Sequence, residues 1–151
     1  MTNDQIVVTL NDLIETSKDG ELGFNACAKH VSSSELKSLF IQRAVECQHA
    51  VSELQPLVLQ YGGKPDEGGS ASGALHRGWV AVRSSLVGYS DEAVLDECER
   101  GEDIALARYR KALHEDALPP ALQAVIERQL VGVQRNHDQV KRLRDQLKAT
   151  L

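Results

Sequence analysis

The segment LNDLIETSKDGELGFNACAKHV, residues 10–31, determines the fold class of this chain. Together with the residues just before it, the segment places an apolar or small side chain at alternating steps of four and three. These positions are Ile6, Leu10, Leu13, Ser17, Gly20, Phe24, Cys27 and Val31. Such spacing is typical of a helix that packs against other helices along its whole length. It predicts a helix over residues 4–31.

Three further long helices are predicted by the same criterion, over residues 33–61, 91–115 and 120–148. Ser32 and Glu35 have the spacing of a capping box that opens the second helix, and Ser90 precedes the third. The fourth begins at Pro119-Pro120, where a helix start tolerates proline. Residues 64–73 are rich in Gly, Pro and Ser and predict a loop, which a short helix over residues 74–87 follows.

Helix lengths and linker lengths together predict the topology. Each long helix has about 25 to 29 residues, or roughly 40 Å at 1.5 Å per residue. The first two are joined by a tight turn and must be antiparallel neighbours. The linker between helices 2 and 3 is long enough to return along the bundle, so helix 3 should run parallel to helix 2. We therefore expect an all-α, ferritin-like antiparallel four-helix bundle, with the short extra helix on its crossover and residues 1–151 in one domain.

The composition narrows the classes of partner. Hydrophobic residues make up 42% and charged residues 26% of the chain, which is an ordinary globular balance. A net charge of −5 argues against a nucleic-acid partner. No apolar run approaches the roughly 20 residues that span a bilayer, and the polar N-terminus does not resemble a signal peptide. We therefore expect a cytoplasmic protein without a membrane partner, whose three cysteines are reduced and buried.

Each long helix also carries a strongly polar residue on its predicted inward face. Glu21, Arg43, Glu102 and His137 occupy these positions on helices 1 to 4. Counting residues along the antiparallel helices brings the four side chains to a common level, to within about one turn. The sequence therefore predicts a polar layer in the core.

This layer has two interpretations. In di-metal carboxylate bundles, two helices each supply Glu and the other two each supply Glu-x-x-His. Helix 2 has the Glu-x-x-His motif at residues 46–49. Helix 4 has Gln134 in place of the Glu of a second such motif. A guanidinium at Arg43 would also repel an incoming cation by several kcal/mol in a partly buried site. The candidate ligands for iron or manganese are Glu21, Glu102 and His137, with Glu46 and His49 as additions.

We prefer the other interpretation, a structural Glu–Arg–Glu network with His137 hydrogen-bonded to it, which fixes helix register. It has no catalytic residues and no cofactor. The alternative is an iron- or manganese-binding protein that handles oxygen or peroxide.

Four motifs resemble a known bacterial family. They are LNDLIETSKDGELGF (residues 10–24), GALHRGW (73–79), ECERGED (97–103) and HDQVKRLRD (137–145). In this order they resemble the ferritin-like family named domain of unknown function 2383. The resemblance covers nearly the whole chain and implies a ferritin-like bundle. It implies no established activity, and a link to stress response follows from fold analogy alone. Gln134 and Arg43 depart from the metal-binding ferritin pattern.

A candidate partner contact lies on the short crossover helix. His76, Arg77 and Trp79 stand in the motif HRGW, on a helix that is expected to be exposed on one side. The simpler interpretation is that Trp79 only attaches this helix to the bundle. The sequence identifies no partner, so an unknown protein and a second copy of the chain, forming a homodimer, both remain open.

Overall fold

The structure is a computed structural model that describes residues 1–66, 90–114 and 118–150. The predicted short helix over residues 74–87, with His76, Arg77 and Trp79, lies outside the described residues. Four helices and no strand occur in the described ranges: α1 (Asn3–His30), α2 (Ser34–Gln60), α3 (Asp91–His114) and α4 (Pro120–Thr150). The four long helices predicted from the sequence are confirmed, with every end within two residues of its expected position. None of these helices is long and apolar enough to cross a membrane.

The first residues of α1 and α2 are held by N-cap hydrogen bonds. At the start of α1, Thr2 and Gln5 form a capping box, because the Thr2 hydroxyl accepts from the Gln5 amide and the Gln5 side chain accepts from the Thr2 amide. The capping box predicted from Ser32 is wrong, since Ser33 is the N-cap of α2 and accepts from the Leu36 amide. The Ser32 and Ser33 amides instead donate to the Asp91 carboxylate, over 2.7 and 3.2 Å.

The contact with Asp91 also establishes the topology. Because Asp91 begins α3, the starts of α2 and α3 lie at the same end of the bundle, and the two helices run parallel. Arg108 contacts Thr16, far from the end of α1 that meets Asp91, so α3 is antiparallel to α1. Glu92 pairs with Lys148 and Asp103 with His137, so α3 is also antiparallel to α4. The predicted parallel course of helices 2 and 3 is therefore confirmed. A crossover must join them.

The core consists of two apolar clusters stacked along the bundle. The first packs the early part of α1 against the later parts of α2 and α3 and the first half of α4, and is centred on Leu10, Leu54 and Ile126. The second packs Phe24 and Phe40 near the turn between α1 and α2, with their rings 6.2 Å apart. Each cluster stabilises the bundle by removing apolar surface from water, worth about 25 cal/mol per Å². Polar side chains lie between them.

Candidate functional site

Arg43 and Glu102 form a buried ion pair between the two apolar clusters. The Arg43 Nε–H, on α2, donates to Oε1 of Glu102, on α3, over 3.1 Å. Only 8% of the Arg43 side chain and 2% of the Glu102 side chain are exposed. One turn along α2, Oε2 of Glu46 lies 3.6 Å from Nη1 of Arg43. The guanidinium also lies over the Phe24 ring, 5.5 Å from its centroid, in a cation–π contact.

Burial and charge act in opposite directions on this pair. Burial raises the pKa of Glu102, and the nearby Arg43, His137 and Asn136 side chains offset only part of that rise. Burial would lower the pKa of Arg43, but the carboxylate of Glu102 makes the net shift upward. A guanidinium keeps its charge in proteins, so a buried one requires a carboxylate beside it. Arg43 and Glu102 therefore form one charge-balanced unit.

A chain of hydrogen bonds crosses the bundle at a neighbouring level. The Tyr109 hydroxyl contacts the Ser17 hydroxyl at 3.3 Å and donates to Oε1 of Gln129 over 2.7 Å. The Gln129 amide donates to Glu53, which also pairs with Arg128. These contacts link all four helices, α1 to α3 to α4 to α2. Burial raises the pKa of Tyr109 to about 12, so the phenol stays protonated over the physiological range.

A cavity of about 480 Å³ lies beside the ion pair and is lined by residues from all four helices. Arg43 and Glu102 form part of its wall, as do Tyr109 and Gln129. Oε2 of Glu102 and Nδ2 of Asn136 are both fully buried without a hydrogen bond of standard geometry among the described residues, yet hydrogen bonding with Asn136 acts to lower the pKa of Glu102. The Asn136 amide is therefore the protein donor available to Oε2.

A second polar cluster lies between α3 and α4, beginning at the residue that follows Glu102. Nε2 of His137 is 2.6 Å from Oδ1 of Asp103, and Nδ1 is 3.2 Å from Oδ1 of Asp138. Glu99 lies one turn before Asp103 and pairs with Arg144. Glu99, Asp103 and His137 each offer a ligand atom, and these three atoms lie within 4.8 Å of one another. The hydrogen bond from His137 lowers the pKa of Asp138.

Of the four residues predicted to share a layer, Arg43 and Glu102 are in contact. His137 lies near enough to act on the Glu102 charge. The ion pairs of Arg43 within the described residues are with Glu102 and Glu46, and they do not include Glu21. The physical reason is the turn of α1: Gly20 is the residue that faces α2, against the Cys47 thiol, so the half-buried Glu21 points roughly 100° away. His137 likewise faces Asp103, because its neighbour Asn136 takes the more buried position.

The remaining predicted ligands are dispersed. Glu46 is half-buried beside Arg43, and His49 is exposed at the rim of the cavity. Within the described ranges, a group of three His, Cys, Asp or Glu ligands occurs only at Glu99, Asp103 and His137. The bundle centre instead brings a guanidinium next to its best-buried carboxylate. Its residues do not fit a di-metal centre, which needs several carboxylates around its cations.

Several of these positions escaped the sequence analysis. Tyr109 is not among the predicted site residues, although a buried phenol usually needs a hydrogen-bond partner. Glu99 and Asp103 stand four apart on α3 and so lie on one helix face, a signal for a shared site. The predicted polar layer takes residues on inward faces, and so it includes Glu102 and not its neighbour Asp103.

Four amphipathic helices with one crossover, packed around a polar centre, define a ferritin-like four-helix bundle. Within that class, the chain belongs to the family described as domain of unknown function (DUF2383), whose model matches residues 5–115. The family resemblance predicted from the sequence is therefore confirmed, and three of its four motifs lie within the matched residues. No curated protein matches the chain in sequence.

Two solved structures share the fold. One is a two-domain protein from Anabaena variabilis with DJ-1/ThiJ/PfpI-like and ferritin-like domains, at 12% identity and a TM-score of 0.79. The match covers all of this chain but 39% of that protein. The other is the Dps protein of Vibrio cholerae O1, described as a member of the ferritin-like diiron-carboxylate superfamily. It is 14% identical, with a TM-score of 0.74, over 93% of this chain and 89% of that one.

Proposed function

We propose that this protein is a non-catalytic ferritin-like bundle in which an ion pair between Arg43 and Glu102 holds the centre where related folds bind metal. The observation that carries the proposal is the burial of both side chains with 3.1 Å between Nε and Oε1. A cation entering here would meet a guanidinium that cannot deprotonate. Such a pair fixes which faces of α2 and α3 meet, a role in specificity more than in stability.

In this proposal the protein acts through contacts with a partner protein or with a second copy of itself. Support comes from large apolar side chains that α1 and α2 leave exposed, namely Val8, Leu22, Ile41, Val45 and Leu59. A cytoplasmic, stress-related setting belongs to the same proposal and is supported by the fold likeness alone.

Elemental analysis tests the non-metal centre. The protein is purified without chelators, incubated with Fe(II) or Mn(II), and desalted, alongside a Glu102→Gln variant of nearly equal shape. We expect the same metal content in both, because Glu102 binds Arg43 and not a cation. Stoichiometric iron or manganese that disappears in Glu102→Gln would overturn the proposal.

A second candidate function is the binding of one divalent cation by Glu99, Asp103 and His137. Carboxylate and imidazole ligands suit manganese and iron. Asp138 supports the arrangement, because it lies beside Nδ1 of His137 and would orient the ring as carboxylates do behind metal-bound histidines. The ion pair of Arg144 with Glu99 opposes it, since binding must displace that guanidinium.

A Mn(II) titration followed by electron paramagnetic resonance separates this candidate from the first. If the cluster binds the cation, His137→Ala and Asp103→Asn abolish binding while Glu102→Gln leaves it intact. Equal, weak titration curves for all four proteins would dismiss the candidate.

A further inference from the structure

Two cysteine side chains meet inside the second apolar cluster, where α1 packs beside α3. Sγ of Cys98 lies 3.0 Å from Sγ of Cys27 and is the donor of a weak hydrogen bond. A disulfide bond is about 2.05 Å long, so the two sulfurs are about 1 Å short of covalent contact. Both residues are reduced and fully buried, and they stand 71 positions apart in the chain. The fold thus brings together two thiols that no local motif connects.

Contacts on both sides of the pair hold α1 and α3 together. At the start of α3, the Asp91 carboxylate accepts from the Ser32 and Ser33 amides, which follow the end of α1. Farther along the two helices, Arg108 of α3 contacts Thr16 of α1. The cysteine pair lies between these two connections. Forming the bond therefore requires a movement of about 1 Å within helices that are already held side by side.

The position of Cys27 in its helix provides a path for a small oxidant. Cys27 lies in the last turn of α1, which ends at His30. The amide of Val31 donates to the Cys27 carbonyl over 3.2 Å, in the bond that closes the helix. Helix ends open more often than helix centres, because fewer contacts break at once. Such an opening admits hydrogen peroxide to a sulfur that the closed bundle buries.

The third cysteine belongs to the same cluster but has a different setting. Sγ of Cys47 faces α1 at Gly20, so close that a Cβ on Gly20 would lie 2.9 Å from it. Burial raises the pKa of Cys47 to about 12, so its sulfur stays a thiol, the less reactive form. Cys47 also stands in the middle of α2, far from either end. It is therefore a matched control within the same chain.

From these observations we propose that Cys27 and Cys98 form a site of oxidative modification, at which hydrogen peroxide converts the two thiols to a reversible disulfide between α1 and α3. This site goes beyond the structural role of the ion pair. It makes the end of the bundle responsive to peroxide, since the oxidised chain carries a covalent link between α1 and α3 besides the crossover.

The reaction has two steps. One sulfur, as its thiolate, attacks a peroxide oxygen, so the O–O bond breaks and a sulfenic acid and hydroxide form. The other sulfur, as its thiolate, then displaces hydroxide from the sulfenic sulfur, and the S–S bond forms. The two protons from the thiols convert both hydroxides to water. Two thiols and one hydrogen peroxide therefore give one disulfide and two water molecules, with sulfur oxidised and oxygen reduced.

Mass spectrometry and thiol counting on the intact protein test the proposal. The reduced protein is treated with a small excess of hydrogen peroxide, and its thiols are then counted in denaturant. We expect a mass loss of about 2 Da, the two thiol hydrogens, and a fall from three thiols to one. Dithiothreitol should restore all three thiols.

Thermal melting measures the effect of the bond on the bundle. Because the bond joins residues 71 positions apart, it restricts the unfolded chain strongly. The oxidised protein should therefore melt about 5–15 °C above the reduced protein. An unchanged melting temperature after complete oxidation would contradict a link between α1 and α3.

Variants and peptide mapping identify the two sulfurs. Cys27→Ala and Cys98→Ala should each abolish the mass loss, whereas Cys47→Ala should keep it and end with no thiol. Cys27→Val and Cys98→Val replace the alanine variants if those do not fold. Non-reducing peptide mapping of the parent protein gives the connectivity without any variant, and we expect Cys27 joined to Cys98.

Three thiols remaining after the treatment would overturn the proposal, and so would a disulfide that includes Cys47. A mass gain of about 16 or 32 Da in place of the loss would also overturn it, because sulfenic or sulfinic acid would then persist without reaction of the second thiol.

Discussion

Glu102 and Asp103 are consecutive carboxylates on α3 with opposite environments. Glu102 is 1% exposed and faces a guanidinium at the bundle centre, whereas the Asp103 side chain is 59% exposed and faces His137 on α4. One residue step rotates a helix by about 100°, which is enough to move a side chain from core to surface. The comparison shows that partner and burial, more than residue type, decide what a carboxylate in this bundle can do.

The two clusters also differ in how readily they could accept a cation. At the centre a fixed positive charge already balances the acid, and both side chains are buried. Between α3 and α4, Glu99, Asp103 and His137 gather around a partly open space. On this flank the positive charge nearest the cluster, among the described residues, is Arg144, which pairs with Glu99 and is less buried than Arg43.

The largest expected effect is the loss of stability when the central ion pair is broken, compared with a small loss at the flank. Arg43→Met keeps the apolar stem but leaves Glu102 buried without its cation, so we expect a loss of about 3–5 kcal/mol in the free energy of unfolding. Urea denaturation monitored by circular dichroism measures it. Equal stability of the variant and the parent protein would mean that the pair does not stabilise the centre.

The second expected effect is alkaline destabilisation that comes from the centre. Burial raises the pKa of Cys47 to about 12, from 9.0, and that of Tyr109 to about 12, from 10.0. The folded state keeps protons that the unfolded chain releases between pH 9 and 12. Stability must therefore fall as pH rises through this window, by about 3 kcal/mol between pH 9 and 11.

Melting temperatures of the parent protein and of the Cys47→Ala, Tyr109→Phe double variant check this expectation. The double variant should show a flatter decline from pH 9 to pH 11. Parallel pH profiles for the two proteins would show that other groups cause the alkaline loss.

The third prediction concerns the close contact of α1 and α2 near the ion pair. A Cβ on Gly20 would lie 2.9 Å from Sγ of Cys47, so Gly20→Ala should cost about 1–2 kcal/mol despite its better helix propensity. In a Cys47→Ala background the clash is absent, and Gly20→Ala should become stabilising by up to about 1 kcal/mol. The change of sign, measured by urea denaturation, is the informative result. A loss of the same size in both backgrounds would show that the contact with Cys47 does not cause the destabilisation.

The smallest effect belongs to the flank. Asp103→Asn removes a carboxylate from an ion pair that is open to solvent, and such pairs contribute about 0–1 kcal/mol. We therefore expect a change below about 1 kcal/mol in the same urea assay. A loss as large as that of Arg43→Met would contradict the claim that the buried ion pair contributes much more to stability than the exposed one.

The fold was predictable from the sequence because it depends on periodic patterns. The spacing from Ile6 to Val31 and the long linker before α3 led to the correct helices and topology. The N-cap of α2 was misassigned by one residue because Ser32 and Ser33 are consecutive serines with the same capping preference. The bonds from their amides to the Asp91 carboxylate join residues that are distant in sequence, so no local signal predicts them.

The site was less predictable because it depends on helix rotation. A residue count placed Glu21, Arg43, Glu102 and His137 at one height along the bundle, but height does not determine helix rotation, in which neighbouring residues differ by about 100°. A rotation of that size separates Gly20 from Glu21 and Asn136 from His137. The cavity could not be foreseen either, since empty space arises from how all four helices pack.

A double-mutant cycle tests the central claim most directly. Unfolding free energies are measured for the parent protein, Arg43→Met, Glu102→Leu and the double variant, all similar in side-chain volume. If the two residues hold the centre as a pair, the double variant loses less than the sum of the single losses, with a coupling energy of about 2 kcal/mol or more. Additive losses within about 0.5 kcal/mol would show that Arg43 and Glu102 act independently, and would contradict the account.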